Sequence, residues 1–249
     1  MPYTISVSTY GDIIQQIARM VGHPIPADPA GSTDSAVLQM GAAVNNGLLE
    51  LLTMYDWQDL TIKTSLSVVA GTPGEQETAF DLPDDFYKFI DQSQWDSSSQ
   101  LPAAGPISNQ SWMAYTVRNV GTLMQLTWQL RGDQLIFMNA PDSAVDFDYM
   151  YLSRGQVIDA DDATLYKDQA DKNGDTFVLD TNLITLLGRA KYLEWKGFDS
   201  EAATRDFIIA YNSRVGVNTG SAPVLNVGRR PGVPLINGYT SVPDTGYGS

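Results

Sequence analysis

Cysteine is absent from the 249 residues, and histidine occurs once, at His23. Without thiols there is no disulfide, no thiolate nucleophile and no Cys-ligated zinc, and a reducing compartment is permitted. The lone imidazole stands between Gly22 and Pro24 without the companions that a triad or a His-based metal site needs, and reads as a surface-loop residue. Positive charge is scarce too: 15 Lys and Arg face 29 Asp and Glu, a formal charge of −14. So few cations cannot displace counterions from phosphates, so the chain does not coat nucleic acid, although it can surround DNA without binding it. No apolar run reaches 18 residues, so no membrane span is expected. The opening stretch MPYTISVSTYGD has neither a basic start nor an apolar block, and no secretory leader is expected. No Gly-rich run precedes a helix carrying Lys and Ser or Thr, which removes the phosphate loop.

What is present is an ordinary globular share of hydrophobic residues, 43%, in a chain long enough for one large core or two small ones. Thr9-Tyr-Gly-Asp12 fits a capping box, and Ile13, Ile14, Ile17, Met20 and Val21 make a helical stripe that Gly22 closes, predicting a helix over 10–21. Five turns of the same period, from Val37 and Met40 through Leu48, Leu51 and Leu52, predict a second over 34–55. Near the other end, Leu183, Leu186, Leu187, Ala190 and Leu193 predict a helix over 182–196, capped by Asp180 or Thr181 and ended by Gly197. Asp199 or Ser200 caps a further one over 200–215, with Ala203, Phe207, Ala210 and Tyr211 on its face and Gly216 as its stop. The short turn between these last two makes them antiparallel neighbours. Such a pair leaves one flank wet, and the only other helical patterns lie before residue 60.

Between the helices the period changes to two. Ile62, Leu66 and Val68 alternate with polar residues. Leu126 to Leu130 and Leu135 to Phe137 flank Arg131-Gly-Asp133 as a hairpin, and Val145, Phe147, Tyr149 and Tyr151 alternate with Asp146, Asp148 and Met150. Residues 101–112 read as loop, and 159–175 as an acid-rich loop. The expected fold class is therefore α+β. Residues 1–59 and 181–216 supply helix pairs to one four-helix bundle, and 60–180 form an inserted antiparallel β domain. Residues 217–249 hold four prolines and six glycines, with Arg229, Arg230 and Asp244 their only charges. Val224, Leu225, Leu235, Ile236 and Tyr239 make this stretch too apolar for a solvated linker, so it is expected to be an extended arm that becomes ordered on a partner.

Four marks, in this order, resemble the head-to-tail adaptor (connector) proteins of tailed bacteriophages, of the tail tubular protein A type. They are Leu82-Pro-Asp-Asp-Phe86 leading to Trp95, then Gly105-Pro-Ile-Ser108 before Ser111-Trp112. Leu135-Ile-Phe137 with Ala140-Pro141 and the strand Phe147 to Tyr151 come third. Last is the acidic loop before Phe177-Val-Leu179, opening the helical pair with Trp195, Gly197 and Asp199. The resemblance spans about Thr9 to Val215 and leaves the proline-rich tail outside it. It implies a structural virion protein at the head–tail junction, present in the host cytoplasm during assembly. It would form a homo-oligomeric ring, usually a dodecamer, between the portal protein and a tail nozzle or tail tube protein, continuing the DNA channel. No catalytic residue, cofactor or metal is implied.

Within that reading, Arg229, Arg230, Leu235, Ile236 and Tyr239 are the expected contacts to portal or neighbouring subunit, forked cations and apolar anchors together. Residues 133–180 carry eleven acids against three bases, a local charge of −8. Asp146, Asp148, Asp159, Asp161 and Asp162 are candidates to face the channel and repel DNA; a solvated outer face is the competing account. Three features point elsewhere. Gln169 to Asp180 partly matches a calcium loop through Asp171, Asn173, Gly174 and Asp180, or is a plain Asp-Lys-Asn-Gly turn. Trp95, Trp112 and Trp128 are either a sugar platform or core. Asp84-Asp85 and Asp161-Asp162 lack the nucleophile or base that acid–base work would need. The alternative functions are thus a calcium- or carbohydrate-binding β module on a helical base, or a neighbouring tail-completion protein.

Overall fold

A computed structural model describes residues 8–69, 77–118, 125–138 and 143–218. Helix α1, Tyr10–Val21, starts at the expected box: Asp12 N donates to Thr9 Oγ1 and Thr9 N to Asp12 Oδ2 at 3.0 Å. It ends at Gly22, whose φ of 72° is the left-handed cap. Helix α2, Ser35–Met54, is capped by Asp34, which accepts from Ala36 N at 2.9 Å. The chain then passes through strands β1 (Thr61–Val68), β2 (Glu77–Asp81), β3 (Phe86–Phe89), β4 (Trp95–Asp96) and β5 (Leu101–Pro102). Helix α3, Asn109–Arg118, follows. Then come β6 (Thr127–Arg131), β7 (Gln134–Met138), β8 (Val145–Ser153), β9 (Val157–Ile158), β10 (Tyr166–Lys167) and β11 (Thr176–Phe177). Helices α4, Thr181–Lys196, and α5, Glu201–Asn218, close the described chain.

The class is α+β with antiparallel sheets. Three differences from the sequence expectation have physical reasons. Residues 109–118 are helical, although 101–112 read as loop and helices were expected only near the two ends. Trp112 is the one buried residue of α3, so no apolar stripe announces it. Its signal is local: Ser108 Oγ accepts from Ser111 N at 3.2 Å, an N-terminal cap. Helix α5 runs through Gly216 to Asn218, because a glycine stops a helix only where it adopts positive φ, and here it does not. The acid-rich loop also contains β10, which pairs with β9.

Strand β8 organises the larger sheet. It pairs along one edge with all of β1, Thr61 opposite Leu152 and Val68 opposite Val145, and along the other with β3 and β4. A second sheet has the order β2-β7-β6. The inward faces of the two sheets share a core in which Phe137 and Phe147 meet edge to face at 5.0 Å and Phe89 lies 4.9 Å from Trp128. The alternation of β8 is as expected, with Phe147, Tyr149 and Tyr151 inward. Its last residues, Leu152 and Ser153, are both buried, because there the strand runs into a second core.

That second core belongs to the helices. Helix α4 packs against α1, α2 and α5, and Ile13, Ile17, Met40, Leu48, Leu187 and Phe207 are buried together. Close approach needs small residues: a Cβ on Gly188 would stand 3.0 Å from Ile17 and 3.1 Å from Val44. Helix α5 is tied to the end of α2 by Tyr211 Oη donating to Met54 O at 3.3 Å, and to the turn before β1 by Arg214 with Asp59 at 3.0 Å. Val157, Ala170, Phe177 and Leu179, from the region between the sheets and α4, complete the same core.

Candidate assembly surfaces

The segment 159–176 is built around a lysine. Asp159, Asp171 and Asp175 bring carboxylate oxygens within 4.8 Å of one another, a spacing that also suits a metal ion. In this chain the Lys167 ammonium stands among them, 2.8 Å from Asp159 and 2.9 Å from Asp175, with Asp171 as its third partner. Lys172 adds a second cation, donating to both oxygens of Asp159 at 3.0 Å and to Asp161 at 2.6 Å. Asp175, wholly buried, also accepts from the backbone N–H groups of Ala160, Asp171 and Lys172.

The electrostatics follow from these contacts. The Lys167 ammonium, the Asp161 N–H and Lys172 hold the Asp159 carboxyl far below the usual carboxylate range. Burial works against the Asp175 anion, yet the Lys172 and Asp171 N–H groups, Lys167 and the Ala160 N–H together lower it. Burial likewise opposes the Lys167 charge, and the three aspartates outweigh it and raise that group. The segment is also a clasp on the helices. Asn45 of α2 exchanges two hydrogen bonds with Ala170, Tyr10 N donates to Asp175 O, and Asn173 Oδ1 accepts from Ala30 N.

This geometry disposes of the calcium-loop pattern as a set of converging ligands. Asp171 and Asp175 turn to Lys167, Asn173 to Asp28 and Ala30, and Asp180 caps α4 by accepting from Asn182 N. The five acids picked from the sequence also part company. Asp159 is buried and paired, so its charge is spent inside the clasp. Asp161 is exposed and holds Lys172, and Asp162 caps a turn by accepting from Thr164 N and Oγ1. Asp148 pairs with Lys63 at 3.2 Å and is lowered first by the Ser65 hydroxyl. Asp146 is exposed on the outer face of β8. Trp112 and Trp128 are buried and make no platform. His23, on the loop after α1, lies 3.4 Å from Asp34. Arg229, Arg230, Leu235, Ile236 and Tyr239 lie outside the described residues.

Sequence reasoning missed two apolar surfaces. Helix α2 carries one charge, Glu50, in 20 residues, and its outward face opens on a groove of about 590 Å³. Leu38, Ala42, Asn46, Leu49, Trp195 and Asp171 are among its lining residues. On α5, Ile208 and Ile209 stand 49% and 63% exposed, opposite the buried Ala203 and Phe207. A helix with apolar residues on both sides is one the sequence does distinguish, by its lack of a stripe. Among the described residues no helix is long and apolar enough to cross a membrane.

The family model described as SU10 adaptor protein matches residues 8–225. No curated protein matches the chain.

Proposed function

The chain belongs to the SU10 adaptor protein family of phage structural adaptors, and we propose that it forms a ring joining the portal to the tail and prolonging the DNA channel. The extent of the family match, residues 8–225, carries this reading, since it takes in the helices near both ends and every strand between them. Twelve copies, the portal above and a nozzle or tail tube protein below are what the likeness to the tail tubular protein A type implies. The role is docking and sealing at the head–tail junction rather than catalysis.

In this reading residues 1–59 and 181–216, with α5 carried on to Asn218, act as one four-helix base, 60–180 as an inserted β domain and the residues after Asn218 as an arm. The packing of α4 on α1, α2 and α5 supports the base. Asp146 and Asp162, with Asp148 and Asp161 in their exposed lysine pairs, carry the field that keeps DNA sliding, while the Asp159 charge is buried against Lys167 and Lys172. Arg229 and Arg230 pair with carboxylates of portal or neighbour, and Leu235, Ile236 and Tyr239 fill apolar pockets. Co-expression with the portal protein, followed by native mass measurement and imaging, tests the reading. Several adaptor copies on each portal are expected, and an adaptor that never associates with portal overturns it. Deleting residues 219–249, which spares all of α5, is expected to leave the body folded and weaken incorporation. Arg229→Ala with Arg230→Ala is expected to weaken docking more at low salt than at high, because exposed charges are screened.

A further inference from the structure

We propose that the outer ridge of α5 on one copy seats in the α2 groove of the next, so that a head-to-tail contact between two different faces of the chain closes the ring. The proposal rests on the ring reading above and names its contact. A ring needs two unlike, complementary patches on every subunit, since a single self-complementary patch stops at a dimer. The chain carries such a pair. One is concave and uncharged at its centre, with Leu38 55% and Trp195 50% exposed beside Ala42 and Asn46. The other is convex: Arg205, Ile208, Ile209 and Asn212 rise three to four residues apart on the exposed side of α5. Apolar helix surface of this kind is the material of interface cores, which are depleted of charge and rimmed by polar groups.

The charges fit a second copy as occupant. Arg205 makes no ion pair among the described residues, and it stands one turn from Ile208 and Ile209. The groove has the exposed carboxylate of Asp171 on its lining, where Lys167 engages one oxygen. With the ridge in the groove, an Arg205 guanidinium beside Asp171 is a charge-assisted contact at the rim of an apolar centre. The helix faces pack as ridge into groove, the ordinary mode for two helices.

Absence of cysteine makes the test clean. Ala42→Cys and Ile209→Cys are introduced singly and together into the full chain, co-assembled with portal and treated with a short bis-maleimide. The double variant is expected to give a ladder of cross-linked multimers, and each single variant none beyond background. If the wild-type chain loads portals in many copies and the double variant gives no ladder, this contact is wrong and the ring reading stands. If either single variant dimerises efficiently, the contact is isologous and the proposal falls. If portals carry one adaptor copy, the ring reading itself fails, and this contact with it. Independently, Ile209→Asp is expected to lower incorporation on the order of tenfold or more, as for a central apolar anchor, with the melting profile of the free chain unchanged. Unimpaired incorporation of that variant overturns the proposal.

Discussion

Lys167 Nζ lies 2.9 Å from Asp175 Oδ2, a carboxylate whose side chain is fully shielded from solvent. The ammonium occupies the place that a cation would take among three aspartates, and the segment it holds together grips α1 through main-chain hydrogen bonds and α2 through the Asn45 side chain. Removing it leaves a buried anion with backbone donors alone. Lys167→Met is therefore expected to destabilise the fold by about 3 kcal/mol, the lower end for breaking a buried pair. Lys63→Met, which breaks the exposed pair with Asp148, is expected to cost about 0–1 kcal/mol. Denaturant melts of the two variants beside wild type give the comparison, and equal losses would show that the clasp holds nothing.

The same groups fix the pH response. The carboxylates of Asp159 and Asp175 are lowered on folding, so their contribution is complete above the unfolded value near 3.9 and is lost as pH falls through the folded values. Lys167 is raised, so its contribution is complete below the unfolded value near 10.4 and is lost as pH rises beyond it. Stability is thus expected to be flat across neutral pH, to fall below about pH 4 and to fall again above about pH 10. In Lys167→Met the alkaline loss attributable to this group is expected to vanish. Thermal melts across the pH range check both limbs.

How much of this was legible in the sequence depended on whether the signal was local. The capping box at Thr9 and Asp12 and the left-handed caps at Gly22 and Gly197 are set by residues within one turn, and they fall where the sequence placed them. The inward alternation of Phe147, Tyr149 and Tyr151 is likewise local. The clasp is not. Nothing in the sequence separates Asp175, which is buried, from Asp171 or Asp161, which are exposed, because the choice is made by Lys167 and the Ala160 N–H, eight and fifteen residues away, and by the helices packed over the segment. Helix α3 was hidden for a related reason: Trp112 packs on Ile136 and Met138 of β7, a long-range contact that no period within the helix records.

Leu187 tests the packing of the helical base. It is 5% exposed on α4, and its side chain lies in contact range of Gly47 on α2, 3.4 Å from the place a Cβ would occupy there. Leu187→Ala leaves a cavity between α2 and α4 and is expected to cost about 2–5 kcal/mol. A denaturant midpoint equal to that of wild type would mean that this contact contributes nothing.

Two glycines in neighbouring helices are expected to respond oppositely to the same substitution. Gly188 lies in the interior of α4 and Gly216 in the last turn of α5; within a helix glycine is up to about 1 kcal/mol less favourable than alanine through backbone entropy alone. At Gly216 of α5 an added Cβ meets nothing within 4 Å, and φ is not positive. The entropy gain is then uncompensated, so Gly216→Ala is expected to stabilise by about 0.5–1 kcal/mol. At Gly188 of α4 the Cβ would stand 3.0 Å from Ile17 Cδ1 and 3.1 Å from Val44 Cγ2, wedging α4 away from α1 and α2 at once. Side-chain ends on both sides must shift within a packed core, and overpacking of this kind costs about 1–3 kcal/mol, more than the propensity gain. Gly188→Ala is thus expected to lower the denaturant midpoint and Gly216→Ala to raise it. A rise at both positions would mean that helix propensity alone governs them and that α4 is not held tightly between α1 and α2.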